Sequence, residues 1–215
     1  GYSYDQIIPF KELIFKNFSD KHLIIFGSNR LEPQSGDFYN SMLIVNNNFD
    51  VIQSYNKRKL VPFGEFLPFE KVLNNFGLKK ITEGHGSFVQ GSLNNNIILD
   101  NLNILPMICY EVIFTDFVQK SDDNTNLIIN ISEDGWFGQS IGPDQHFTKS
   151  IFRAIESGKY VLRSANNGTT AIINPLGVIE QKVGINNSGY IDLIETRKIE
   201  MTLFAKFGNK IFGLI

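Results

Sequence analysis

The chain has one cysteine, Cys109, one tryptophan, Trp136, and three histidines, His22, His85 and His146. A single cysteine cannot close an internal disulfide and leaves the redox compartment open. Histidine and cysteine this sparse offer no metal-ligand spacing, which excludes a zinc site. Charge of neither sign is in excess: 20 Lys and Arg against 22 Asp and Glu give a formal net charge of -2. Nucleic acid would call for a basic face, so it is not expected as a partner. Long apolar runs are missing too, since nothing approaches the ~18 consecutive apolar residues of a membrane span. No basic segment leads into an apolar one as in a signal peptide, and the chain as it stands is expected to be soluble. It begins at Gly1 and ends on "FGNKIFGLI" in a rising apolar pattern, so it reads as a piece of something longer.

What is present suits a globular domain: 215 residues, 42% of them hydrophobic, can bury a sizeable core. Runs rich in β-branched and aromatic residues, bounded by Asn, Gly, Asp or Pro, predict strands at 22–28, 41–46, 51–57, 104–110, 127–132, 160–166, 169–174, 178–183 and 189–194. Turn residues near 48, at 166–168 and at 174–177 predict antiparallel hairpins. Helical patterns cover 9–18, 69–77, 114–120 and 144–159. The last has Asp144 as N-cap, Phe147, Ile151, Ala154 and Ile155 on one face, and Gly158 as stop. "ILPMICY" and "NLIINIS" are apolar on both alternating faces, which calls for cover on both sides and a layered α/β sandwich. Without an internal repeat or compositional break, residues 1–215 are expected to form one domain, loosest at 79–96.

Three segments could carry chemistry. Cys109 ends the strand of "ILPMICYEVIFTD" (104–116). Taken alone it reads as a small core hydrophobe, because free cysteine is among the most buried residue types. A strand-to-helix turn beside a helix N-terminus would instead favour a thiolate. Glu111, two residues on, reads alone as a solvated turn carboxylate. In "YNKRKLVPFGEFLPFE" (55–70), Lys57 ends a strand, and Glu65 is embedded in an apolar loop that includes Phe63. Residues 57–59 are either a solvated charge run or the cationic part of a site able to stabilise an acyl-transfer oxyanion. The third, "NISEDGWFGQSIGPDQHF" (130–147), is a Gly-rich loop with Trp136 and Phe137 that leads into a helix. Such loops place substrate-binding residues, whereas His146 reads as a helix-face or capping residue.

Together these segments resemble the carbon–nitrogen hydrolase (nitrilase) superfamily, and within it the apolipoprotein N-acyltransferases of bacterial envelopes. "YNKRKLVPFGEFLP" resembles that family's catalytic-lysine segment and "ICYE" its nucleophile segment. "DGWFG", "GPDQHF" and "FRAIESGKYVLRSANNGTTAIINPLG" follow in order and resemble its C-terminal signature. The resemblance implies a four-layer αββα sandwich with a Glu–Lys–Cys catalytic set. By position Cys109 is the nucleophile, Lys57 stabilises the oxyanion, and Glu65, Tyr110 and Glu111 support the site. Phe63, Trp136 and Phe137 are candidates for lining the substrate path. The implied reaction takes a fatty acyl chain from a phospholipid onto Cys109 as a thioester. The N-terminal diacylglyceryl-cysteine of an apolipoprotein then accepts it, with no cofactor. The implied place is the bacterial inner membrane, with the domain facing the periplasm against a membrane surface.

One element departs from the pattern. The family's base is a glutamate shortly before an "Ile-Pro" pair, and alignment on "IIP" puts Asp5 there. Aspartate is one methylene shorter, and a retreat of about 1 Å can cost ~10²-fold in rate, so an impaired enzyme is expected. Two rival readings are a soluble amidase or nitrilase, with water as second nucleophile, and a non-catalytic remnant that keeps the fold.

Overall fold

β-branched and aromatic runs become strands where turn residues interrupt them, in a computed structural model that describes residues 3–16, 18–69, 87–92, 96–120, 124–197 and 199–213. These fall into two compact units, residues 1–95 and 96–215, each treated separately below.

In the first unit β1 (Ile24–Leu31), β2 (Phe38–Val45) and β3 (Val51–Asn56) form an antiparallel sheet in that order. Every residue of β2 from Ser41 to Val45 is buried, so this strand is covered on both faces. The expected hairpin forms after β2, where Asn46 Oδ1 accepts the N–H groups of Asn48 and Asp50, both at 2.9 Å. Phe49 folds back beside Val45, and Tyr4, Ile7, Ile24 and Phe26 pack on the pair. The Tyr4 hydroxyl also donates to the Phe49 carbonyl, which pins α1 (Tyr4–Ile7) to the hairpin. The helix expected at 9–18 is broken: a 3₁₀ turn, Ile8–Phe10, separates α1 from α2 (Lys11–Phe15). Pro9 lacks the N–H that a continuous helix needs, which accounts for the break. The helix expected at 69–77 and most of the loop at 79–96 lie outside the described residues.

The second unit holds a sheet in the order β4 (Ile97–Leu99), β5 (Leu102–Ile108), β6 (Leu127–Glu133), β7 (Tyr160–Asn166), β8 (Thr170–Ile173) and β9 (Ile179–Val183). β5, β6 and β7 run parallel and the outer pairs antiparallel. Parallel strands are buried on both faces, which is why β5 and β6 read as continuous apolar runs. Leu105, Met107, Val112, Phe117, Ile128, Val161 and their neighbours form the core. The hairpins at 166–168 and 174–177 are present. The run at 189–194 is not a strand. There the Gln181 amide donates to the Asp192 carbonyl at 2.8 Å and accepts its N–H at 3.3 Å, standing in for a ladder rung.

The chain crosses from β6 to β7 through α3 (Gly142–Ser157). It starts earlier than expected, with Ile141 as N-cap and Pro143 in the first turn, so Asp144 lies inside that turn. It stops at Gly158, φ +69°, whose N–H bonds the Ala154 carbonyl at 2.9 Å. Its buried face is not the apolar one expected. Ala154 is buried, but so are His146, Ser150, Arg153 and Ser157, whereas Phe147 and Ile151 are only partly buried and Ile155 is exposed.

Candidate active site

Lys57 follows directly on β3, and its N–H donates to the Asn40 carbonyl of β2 at 2.8 Å. Its Nζ lies 2.9 and 2.8 Å from the two carboxylate oxygens of Glu65. Glu65 in turn accepts from Asn40 Nδ2 and from the Val61 N–H, each at 2.7 Å. The loop is closed by its own backbone, Glu65 N–H to Val61 carbonyl at 2.8 Å and Phe63 N–H to Phe66 carbonyl at 2.7 Å. This overturns a solvated charge run at 57–59. Lys57 is only 2% exposed, and Arg58 is buried with Nε donating to the Tyr55 hydroxyl at 3.0 Å. Gly91 closes the other side: its N–H donates to the Lys57 carbonyl at 2.9 Å, and a Cβ there would meet the Asn56 carbonyl oxygen at 2.1 Å. Phe63 sits at the loop tip, 47% exposed, and Asp5 is on the exposed side of α1.

In the second unit β5 stops at Ile108, and Cys109 opens a 3₁₀ turn, Cys109–Ile113, followed by another at Thr115–Lys120. The α-helix expected after the nucleophile is therefore two tight segments. Cys109 has φ +49°, is partly exposed and is a free cysteine. A non-glycine residue in this region costs on the order of 1–3 kcal/mol and persists only where its surroundings enforce it. Glu111 supplies part of that enforcement: it is fully buried rather than solvated, and its Oε2 accepts the Ile108 N–H at 2.8 Å. Tyr110 stacks edge-on against Phe114, centroids 5.1 Å apart.

Beyond this turn lies a buried polar cluster that the sequence reading did not foresee. Asp134, at the end of β6, accepts from Ser132 Oγ at 2.7 Å, from Arg163 Nη2 at 2.6 Å and from His146 Nδ1 at 2.9 Å. The other ring nitrogen, Nε2, lies 3.1 Å from the Cys109 carbonyl oxygen. Arg163 also donates to Asn130, its register partner on the adjacent strand, and to the Thr169 carbonyl at 3.2 Å. Burial alone would raise the Asp134 carboxyl. The hydrogen bond from His146, the charge of Arg163 and the bond from Ser132 outweigh it and hold the group at about 2, below the usual 3.8. Trp136 and Phe137 follow in the 3₁₀ turn Asp134–Phe137. Trp136 is 69% exposed, and the Phe137 ring lies 5.3 Å from that of His146. A signal for the cluster was present: Asn130 is a polar residue in the middle of a strand read as covered on both faces, and such a residue needs partners.

Lys57 and Glu65 are thus brought together in the first unit. Cys109, Tyr110 and Glu111 share one turn in the second, with Trp136 and Phe137 on another. Among the described residues no three of His, Cys, Asp and Glu gather to hold a metal ion, and no helix is long and apolar enough to cross a membrane.

Buried parallel strands that end on a cysteine corner, together with a strand-end lysine locked to a glutamate, define a class. A carbon–nitrogen hydrolase family profile matches residues 19–193, and the chain belongs to that family. Its α+β fold is that of the nitrilase superfamily. An amidase from Nesterenkonia sp. superimposes with a TM-score of 0.58 at 16% identity, over 86% of this chain and 65% of that one.

Within the family, the chain is similar to the apolipoprotein N-acyltransferase of Rickettsia bellii, at 41% identity over 216 residues, 96% of this chain and 42% of that protein. The corresponding proteins of Rickettsia typhi and Rhodopseudomonas palustris are 38% and 36% identical over 92% and 80% of this chain, or 40% and 32% of their own lengths. The chain therefore spans well under half the length of these relatives. The span matched by the family profile includes Lys57, Glu65, Cys109, Glu111, Trp136 and Phe137 and leaves Asp5 outside.

Proposed function

We propose that this chain is the catalytic part of an N-acyltransferase that moves a fatty acyl group from a phospholipid, through a thioester on Cys109, to the N-terminal diacylglyceryl-cysteine of an apolipoprotein. The observation that carries the reading is the conformation of Cys109. It is a free, partly exposed cysteine at φ +49° on a buried strand end, a strained geometry that a merely structural cysteine would not need. Similarity to the rickettsial acyltransferases supports acyl transfer over other chemistry of the family.

In the first step the Cys109 thiolate attacks the ester carbonyl, so the S–C bond forms while the carbonyl electrons move to oxygen. Lys57, held by Glu65, stabilises that oxyanion. Collapse breaks the C–O ester bond, and the lysolipid alkoxide leaves with the proton taken from the thiol. In the second step the acceptor α-amine attacks the thioester, the C–S bond breaks, and the thiol recovers its proton from the amine. Asp5 serves as the proton carrier, and Glu111 keeps the nucleophile turn closed. Phe63, Tyr110, Trp136 and Phe137 line the path of the acyl chain. The site works at the inner membrane, on its periplasmic side, against the lipid surface that supplies the donor.

Incubation of the chain with phospholipid vesicles, followed by intact-mass analysis, tests the proposal. The expected result is one hydroxylamine-labile acyl adduct, absent in Cys109→Ala and formed faster in Asp5→Glu. Acylation that does not depend on Cys109, or ammonia release from short amides with no adduct from lipid, would overturn it.

A further inference from the structure

The cluster beneath the cysteine turn has no part in the steps just described, yet it touches the nucleophile's own backbone. We infer that His146 is a positioning residue that clamps the carbonyl of Cys109 and so keeps the nucleophile in its left-handed conformation, with Asp134 and Arg163 holding the imidazole in place. This deepens the proposed function and rests on Cys109 being the nucleophile.

A carbonyl oxygen can only accept, so His146 Nε2, 3.1 Å from the Cys109 oxygen, donates to it. The Asp134 carboxylate, ionised at neutral pH, also only accepts, so Nδ1 donates to it at 2.9 Å. Turning the ring over would present C–H to both acceptors and lose both bonds, so a single orientation satisfies the site. Asp134 cannot drift to relax it. Ser132 and Arg163 fix its two oxygens at 2.7 and 2.6 Å, and the backbone at Gly168 packs so closely that a Cβ there would lie 2.1 Å from Oδ2. Arg163 is anchored to β6 and to the Thr169 carbonyl, and the Phe137 ring lies against the imidazole. The path from sheet to nucleophile is therefore continuous: Arg163 on β7, Asp134 at the end of β6, His146 on α3, and the carbonyl of Cys109.

With that carbonyl fixed, the plane of the 109–110 peptide is fixed, because the peptide unit is rigid. Glu111 grips the turn from the residue before Cys109, through the Ile108 N–H. His146 grips it from the residue itself. Without His146, φ of Cys109 is free to fall back to the ordinary region and swing the thiol away from its attack position.

The test is the rate of Cys109 alkylation by iodoacetamide in the whole chain, read across pH beside the thermal midpoint. His146→Leu should slow alkylation at least tenfold in chains still folded at the assay temperature, with a midpoint lowered by the bond lost to Asp134. His146→Gln, whose amide keeps a donor toward the Cys109 carbonyl, should restore most of the rate. Equal rates in wild type and His146→Leu would overturn the clamp, as would a folded His146→Gln as slow as His146→Leu. Should His146→Leu not fold, imidazole proton NMR of the wild-type chain decides. Two exchange-protected ring N–H signals from His146 support the clamp, and one alone overturns it. A wild-type Cys109 that reacts no faster than in denaturant would remove the nucleophile reading itself, a result distinct from failure of the clamp.

Discussion

Lys57 and Glu65 show how one residue's surroundings decide its role. The ammonium is nearly sealed from water, and its two short contacts to Glu65 are what its burial requires. The partners are not equivalent. Glu65 keeps Asn40 Nδ2 and the Val61 N–H whatever happens to Lys57, and it retains some exposure. Glu65→Ala should therefore cost about 3–5 kcal/mol, the range for leaving a buried charge alone. Lys57→Met should cost clearly less, because the thioether fills the slot and the carboxylate stays bonded. Urea unfolding of the two variants compares them directly, and equal destabilisation would show that the pair is not buried as described. In activity the order should reverse, since Lys57→Met removes the proposed oxyanion partner itself.

At the scale of elements, α3 carries most of what separates sequence from structure. Its C-terminal end was legible because it depends on local chemistry, the glycine stop at Gly158, while the sequence pattern puts its start two residues late, at Asp144 instead of Gly142. Most strands and all three hairpins were legible for the same reason, as β-branched runs cut by Asn, Gly and Pro. Its buried face was not, because His146, Ser150, Arg153 and Ser157 follow helical spacing as a polar stripe, and polar residues are buried only when distant partners satisfy them. For His146 and Ser150 those partners are Asp134, just past β6, Asn130 on β6 and Arg163 on β7, whereas Arg153 bonds the Ile113 carbonyl and Glu156, and Ser157 bonds the Arg153 carbonyl of its own helix. The tight 3₁₀ turn after Cys109 was hidden too, since it rests on a positive φ and on Glu111 bonding backwards. Cys109 and Lys57 each had an ordinary reading as well as a chemical one, and only the resemblance gave them and Glu65 their separate roles. The close approach of the β7–β8 hairpin to Asp134 gives a direct test. Gly168→Ala should cost about 1–3 kcal/mol through overpacking, seen as a lower thermal midpoint. An unchanged midpoint would mean that the hairpin stands farther from Asp134.

For the molecule as a whole, nearly balanced charge leaves little general repulsion to drive pH dependence, which then falls to the few carboxyls whose folded surroundings differ from water. Two lie in the second unit and pull in opposite directions. Asp134 is held at about 2 against the usual 3.8, so the folded state favours its charged form. Its contribution is present above pH 3.8 and is lost as pH falls toward 2, amounting to about 2 kcal/mol. Glu156 is pushed up from 4.5 by burial, only partly offset by Arg153 and Lys149, so the folded state favours its neutral form. Its contribution is present below pH 4.5 and is lost as pH rises beyond that. Chemical unfolding followed by tryptophan fluorescence, with Trp136 as the single reporter, should therefore show stability falling steeply below pH 3.8. Asp134→Asn should flatten that limb and lower stability at neutral pH, where the charged carboxylate holds Arg163 and His146. Glu156→Gln should leave the acid limb intact and remove the decline above pH 4.5. An acid limb of undiminished slope in Asp134→Asn would show that other carboxyls drive acid unfolding and that the Asp134 cluster adds little to the fold.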